Sequence, residues 1–119
     1  NGKIMNEGIK LVEGPDVSII QTILENSKRI DDKRTAYVTL AKIVEEVGEL
    51  AQEVMIHNYD SHKEAGSDGI IGEACDVIIA AIDIIWLHSK YDNTIFIEEI
   101  MAYTIKQKLI KWQSNYLEE

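Results

Sequence analysis

The chain has 119 residues, of which 45% are hydrophobic and 28% charged, and its formal net charge is -9. This length predicts one domain, residues 1–119, with a core of moderate size. The acidic balance disfavours binding to a nucleic-acid polymer, since that binding draws on clustered Lys and Arg. A small phosphorylated ligand is not excluded, because cations held by carboxylates can invert the local potential.

Neither a membrane span nor a disulfide framework is predicted. The apolar run from Ile78 to Leu87 is shorter than the roughly 20 residues of a span and contains Asp83. Cys75 is the single cysteine and is expected to be a small core residue, which fits a reducing compartment. We therefore expect a cytoplasmic protein that does not bind membranes.

The first two predicted elements are helices. Asp16 is predicted to cap a helix that carries apolar residues from Val17 to Ile30 toward a core. A second helix is expected from about Lys33 to His57. Its apolar residues recur at helical spacing and are expected to face the core: Leu40, Val44, Val47, Ala51, Val54 and Met55.

Two more helices are predicted after the polar stretch 58–69, which contains two glycines and is typical of a connection. The third runs from about Ile70 to Lys90. The fourth runs from Asn93 or Thr94 to about Tyr116. Seven of its apolar residues are expected inside: Ile95, Ile97, Ile100, Met101, Ile105, Leu109 and Ile110. Four helices of this length predict an all-α protein, with a four-helix bundle as the expected architecture.

The third helix combines an apolar surface with acidic residues on one side. From Val77 to Leu87 the apolar side chains point in every direction, which implies burial. Its charged residues Glu73, Asp76 and Asp83 nevertheless fall within one sector of about 80°. A buried carboxylate without a partner costs several kcal/mol or changes its protonation state. Cations, hydrogen-bond donors or a wet cleft should therefore face this stripe.

The second helix carries a matching acidic sector of about 100°: Glu45, Glu46, Glu49 and Glu53, with Lys42 among them. Glu46 and Glu49 are three residues apart, as are Glu73 and Asp76, so each pair turns two carboxylates toward one point. Facing each other, the two sectors would suit magnesium or manganese better than zinc. A solvated Glu-rich face is the commoner interpretation of the second helix alone, but the carboxylates that interrupt the apolar third helix favour a metal or functional role.

The segments EEVGEL, at 45–50, and EACD, at 73–76, form an ExxE and an ExxD pattern on successive predicted helices. With Gly48 in the first segment and an apolar helix after the second, the chain resembles the MazG-like nucleotide pyrophosphohydrolases over about 36–112. The resemblance implies an all-alpha superfamily that also contains dimeric dUTPases and phosphoribosyl-ATP pyrophosphohydrolases. It implies homodimers or homotetramers and a Mg²⁺ cofactor, with Mn²⁺ as the alternative.

The resemblance also implies roles for individual residues. Glu46, Glu49, Glu73 and Asp76 would be the metal ligands, and Glu45 a supporting residue. Glu49 is the first candidate for the catalytic carboxylate that orients or deprotonates water, with Glu46 as the second. The reaction would release pyrophosphate from a nucleoside triphosphate, with a deoxyribonucleotide favoured, and leave the monophosphate.

The candidate substrate-binding residues are four lysines and one aspartate that follows the ExxD segment on the third helix: Lys42, Lys106, Lys108, Lys111 and Asp83. The segment KQKLIKW, at 106–112, resembles the family's basic and aromatic segment, with Lys111 where Arg is frequent. The alternative is that these lysines complement the helix dipole. Asp83 is expected to contact a sugar or base, or to accept a hydrogen bond across an interface.

The apolar third helix is hard to cover with only three others, so a homo-oligomer is expected. Trp86 is expected in the core or a subunit contact, because aromatic residues at helical spacing are mostly buried. The leading function is a house-cleaning triphosphate pyrophosphohydrolase. The alternatives are a dUTPase-like or phosphoribosyl-ATP pyrophosphohydrolase and a non-catalytic, metal-binding interaction module.

Overall fold

The computed structural model describes residues 17–30, 33–58, 66–90 and 93–117, and all regular elements in these ranges are α-helices. They are α1 (Ile19–Ile30), α2 (Ala36–Asn58), α3 (Gly69–Ser89) and α4 (Thr94–Leu117). For these described residues, the prediction of an all-α protein with four helices is confirmed. Within the described ranges, no helix is both long and apolar enough to span a membrane.

Side-chain caps define where three helices begin. Ser18, Thr35 and Asn93 each accept a hydrogen bond from the backbone N–H three residues on, at 3.0, 3.2 and 3.1 Å. Such caps satisfy N–H groups that have no partner inside the helix. The expectation that α1 includes Val17 is therefore wrong, because the helix begins at Ile19, directly after the cap Ser18. The predicted cap Asp16 lies outside the described residues.

The apolar core lies where α1, α3 and α4 meet. It is formed by one residue of α1, three of α3 and two of α4: Leu24, Ile82, Trp86, Leu87, Ile97 and Met101. Leu24 is fully buried and Trp86 is only 4% exposed. The prediction that Trp86 belongs to a core is thus confirmed.

Helix α2 packs along α3 in the antiparallel direction, and it does so with its polar side. Its buried residues are Thr39, Glu46 and Glu53. The expectation that its apolar stripe faces the core is wrong for most of its members, which are exposed: Leu40, Val44, Val47, Ala51 and Met55. Glu46 and Glu53 of the acidic sector take the inner position, so the apolar stripe on the other side of the helix points outward.

Further expectations about burial are corrected, because Ile19 and Ile30 at the ends of α1 and Ile78 and Ile79 of α3 are exposed. Cys75 is exposed rather than part of the core. Only the first turns of α4 are packed, through Thr94, Ile97 and Met101, and every residue of 103–117 is exposed. The physical reason is length: α4 has 24 residues, about 36 Å, and α1, its main partner, has 12, about 18 Å. Of the seven apolar residues of α4 that were expected inside, Ile97 and Met101 are buried, and the other five are exposed in the described part of the chain: Ile95, Ile100, Ile105, Leu109 and Ile110.

Candidate metal centre

Carboxylates from α2 and α3 converge on Glu46. One oxygen each of Glu46, Glu73 and Asp76 lie within 4.8 Å of one another, and Glu46 forms a second such group with Glu45 and Glu49. Residues three apart on a helix project to the same side, and the antiparallel packing brings the two sides together. The structure thus places the four predicted ligands and Glu45 in one cluster. Metal binding by this cluster stays a prediction.

Burial and like charges both act on the protonation of this cluster. The pKa of Glu73 is raised to about 7, first by burial and then by a hydrogen bond with Glu49 and the charges of Glu49 and Asp76. Burial also raises the pKa of Glu46, against the opposing charge of Lys42. Proton uptake is one way to limit the repulsion among these carboxylates, and a divalent cation is another.

The donor set fits magnesium or manganese. All donors are carboxylate oxygens, which hard divalent cations prefer. Ligands about 2.1 Å from Mg²⁺ lie at most about 4.2 Å apart, so small side-chain rotations would close a 4.8 Å group around an ion. Exposed acidic groups are common on helices without an ion. Glu46 distinguishes this cluster, because it is only 8% exposed and charged side chains are rarely buried unless paired or ligated.

Lys42 borders the cluster on α2. Its Nζ lies 3.0 Å from Glu45 Oε1 and 3.8 Å from Glu46 Oε2. The hydrogen bond to Glu45, followed by the charges of Glu45 and Glu46, raises the pKa of Lys42. Lys42 is therefore a cation beside the cluster, and its contact with substrate stays a prediction.

Asp83 is paired with Arg34, a residue that the sequence analysis missed. Arg34 donates from Nε to Asp83 Oδ2 at 3.1 Å and from Nη2 to Oδ1 at 2.6 Å. Its Nη2 also donates to the backbone carbonyl of Ser27 at 3.1 Å. Both oxygens of Asp83 are thus engaged within the chain, by a guanidinium that also holds the end of α1. A substrate contact by Asp83 would have to share this carboxylate with Arg34.

The three lysines of α4 are not brought to the carboxylates by the packing of the helices. Lys106, Lys108 and Lys111 are exposed in the part of α4 that lies beyond its contact with α1. Trp112 in the same segment is 58% exposed and makes an edge-to-face contact with Tyr116 at 6.0 Å. Phosphate contact by these lysines stays a prediction.

Glu53 is buried beside the cluster, although the sequence analysis gave it no role beyond membership of the acidic sector. Its Oε2 accepts the backbone N–H of Gly66 at 2.9 Å, and its Oε1 lies 3.4 Å from His57 Nε2. The spacing of seven residues from Glu46 places both on one side of α2. That spacing could have indicated that Glu53 is buried with Glu46. Its hydrogen bond with a backbone N–H could not be recognised from the sequence, because no particular residue type is needed as the partner.

Comparisons of the chain with protein-family models, with curated proteins and with solved structures found no match.

Proposed function

We propose that the chain is a magnesium-dependent nucleoside triphosphate pyrophosphohydrolase of the MazG-like kind. The observation that carries the proposal is the meeting of buried Glu46 on α2 with Glu73 and Asp76 on α3. A cluster with one buried side and one exposed side suits a triphosphate that arrives with a cation. The ExxE and ExxD segments that form the cluster are also the segments that resemble the family.

The residues of the cluster have different roles in the proposed reaction, and their exposure to solvent helps to assign them. Glu46, Glu49, Glu73 and Asp76 would hold a cation, which when bound offsets phosphate charge and acidifies water. Glu49 is exposed, and its proximity contributes to the raised pKa of both Glu46 and Glu73. From that position it would orient the attacking water and accept its proton. Glu45 supports the cluster by engaging Lys42.

The proposal includes a homodimer or homotetramer. Extended apolar surfaces are rarely left to water in a monomer, and α2 and α4 both expose one: Leu40, Val44 and Val47, with Leu109, Ile110 and Trp112. Light scattering coupled to size exclusion would report the mass in solution. A monomer at every concentration would contradict this part of the proposal.

Pyrophosphate release from a panel of nucleoside triphosphates tests the activity. The panel holds canonical and modified ribo- and deoxyribonucleotides, including dUTP, and phosphoribosyl-ATP is assayed beside it. We expect monophosphate and pyrophosphate with Mg²⁺, none with EDTA, and a loss of at least about a hundredfold in kcat for Glu49→Gln. The control is Glu99→Gln, an exposed residue of α4 that should retain full activity.

Each outcome of this assay separates the proposed function from its alternatives. Turnover confined to dUTP or phosphoribosyl-ATP would replace the general enzyme with a restricted one. No turnover by a folded protein that still binds Mg²⁺ would contradict an enzyme and leave the metal-binding interaction module.

A further inference from the structure

Glu53 links the two helices of the candidate metal centre. Its Oε2 accepts the backbone N–H of Gly66 at 2.9 Å, and its side chain is only 9% exposed. A Cβ on Gly66 would lie 3.2 Å from the same oxygen, so glycine lets the carboxylate reach the backbone closely. A hydrogen bond to an ionised acceptor is stronger than one between neutral groups. The link therefore fixes a backbone position just ahead of α3.

The hydrogen bond between Glu53 and Gly66 and the carboxylate cluster are separated by the same number of residues on both chain segments. Glu53 follows Glu46 by seven residues, and Gly66 precedes Glu73 by seven. Because α2 and α3 are antiparallel, the contact of Glu53 with Gly66 and the contact of Glu46 with Glu73 are successive points along one interface. On α2, two turns of helix separate Glu46 from Glu53 by about 10 Å, and α3 begins at Gly69, between Gly66 and Glu73. A slip or rotation of α3 that separated Glu73 from Glu46 would therefore also strain the link at Gly66.

We propose that Glu53 is a positioning residue of the metal centre, which holds the start of α3 where Glu73 and Asp76 meet Glu46. The proposal rests on the proposed function, since it assumes that these carboxylates bind a divalent cation. Glu53 acts through the backbone and is not itself a ligand. Its Oε2 accepts the Gly66 N–H, and its Oε1 lies 3.4 Å from His57 Nε2 without a hydrogen-bond partner among the described residues. Glu53 belongs to neither of the two carboxylate groups that include Glu46.

Binding of Mn²⁺ alone to the full chain, measured by calorimetry and by electron paramagnetic resonance, tests the proposal. Glu53→Gln removes the charge but keeps an oxygen that accepts the Gly66 N–H, whereas Glu53→Ala removes both. We expect Glu53→Gln to bind within about twofold of wild type and Glu53→Ala about tenfold more weakly, as for other residues that support ligands indirectly. Glu99→Ala, an exposed charge removal on α4, should bind as wild type does.

Hydrogen exchange at the Gly66 amide measures the link without a metal. It should be faster in Glu53→Ala and unchanged in Glu53→Gln, while far-ultraviolet circular dichroism reports whether each variant keeps its helices. If Glu53→Ala fails to fold, Gly66→Ala takes its place. It retains the charge of Glu53 and crowds its oxygen, so we expect weaker Mn²⁺ binding and faster exchange there as well.

Two results with the variants would overturn the proposal. Equal weakening in Glu53→Gln and Glu53→Ala would mean that the charge matters and the hydrogen bond does not. Fast exchange at position 66 with wild-type Mn²⁺ affinity would mean that the link does not position the ligands. Wild-type protein that binds Mn²⁺ but releases no pyrophosphate would overturn only the proposed function. Wild-type protein that binds no Mn²⁺ would overturn both.

Discussion

The two sides of α3 are packed by different physical means. Toward α1 and α4 it contributes Ile82 and Trp86 to an apolar core. Toward α2 it presents Glu73 and Asp76 to further carboxylates. Burial of apolar area stabilises the first side, whereas desolvation and like-charge repulsion oppose the second. Folding free energy therefore comes mainly from the apolar side of α3, while the carboxylate side retains groups suited to binding. Stability and function should therefore respond in opposite ways to substitutions on the two sides.

The largest loss of stability should come from the apolar side. Leu24→Ala removes a fully buried side chain and should lower the free energy of unfolding by about 3 kcal/mol. Leu117→Ala, at a position 73% exposed, should change it by less than about 0.5 kcal/mol. Urea unfolding followed by circular dichroism measures both. Equal effects of the two variants would contradict the assignment of the core to α1, α3 and α4.

The next largest effect should come from the ion pair between Arg34 and Asp83. Two hydrogen bonds join the partners, whose side chains are 14% and 18% exposed. Arg34→Ala and Asp83→Ala should each destabilise by about 2 kcal/mol, since each leaves a charge poorly solvated. A double-mutant cycle by urea unfolding should give a coupling free energy of about 1 to 2 kcal/mol. Strictly additive effects would show that the two residues do not interact in solution.

The helices and the carboxylate cluster could be predicted because both depend on local spacing. Helical periodicity predicted four helices, and three-residue spacing predicted which carboxylates share a side. Which side of α2 turns inward was not predictable in this way. Periodicity shows that a helix has an apolar and a polar side, but not what each side contacts. Leu40 and Val44 therefore looked like core residues, although the inner position belongs to Glu46.

The contacts that hold the cluster in place could not be predicted from spacing. Arg34 pairs with a residue 49 positions away, so the contact depends on how α1, α2 and α3 pack. Glu53 contacts a backbone N–H, which every residue except proline offers. Such interactions follow from the tertiary arrangement rather than from residue type or local pattern.

On the acidic side, Glu73→Gln should raise the melting temperature of the metal-free protein. The folded protein keeps a proton on Glu73, whose pKa is about 7 against an ordinary value of 4.5, and the unfolded chain releases it in that interval. The free energy of unfolding should therefore fall as pH rises from about 4.5 to 7. Melting curves in EDTA across this range should show the fall in wild type and a smaller one in the variant. A wild-type melting temperature that rises over this interval would contradict the repulsion inferred for the cluster.

With Mg²⁺ at neutral pH, wild type should have a higher melting temperature than Glu73→Gln, which is the reverse of the order expected without metal. A ligand that binds the folded state alone stabilises it, so Mg²⁺ should raise the melting temperature of wild type at pH 7.5. Glu73→Gln should respond much less, because it lacks one of the proposed donors. Melting curves with and without Mg²⁺ measure the difference. Equal shifts in both proteins would place the binding of the ion elsewhere.

The smallest effect on stability should come from Lys42→Met, because the pair of Lys42 with Glu45 is exposed to solvent, which screens its attraction. Its effect on binding should be opposite in sign to that of Glu73→Gln. Removing a positive charge next to Glu45 and Glu46 should tighten Mn²⁺ binding by about threefold at low salt. Titration calorimetry measures this change, with Lys108→Met as the matched control, since Lys108 is exposed on the unpacked part of α4. If both variants bind Mn²⁺ equally tightly, the charge of Lys42 is not felt at the bound ion, and the ion does not bind at the cluster around Glu46.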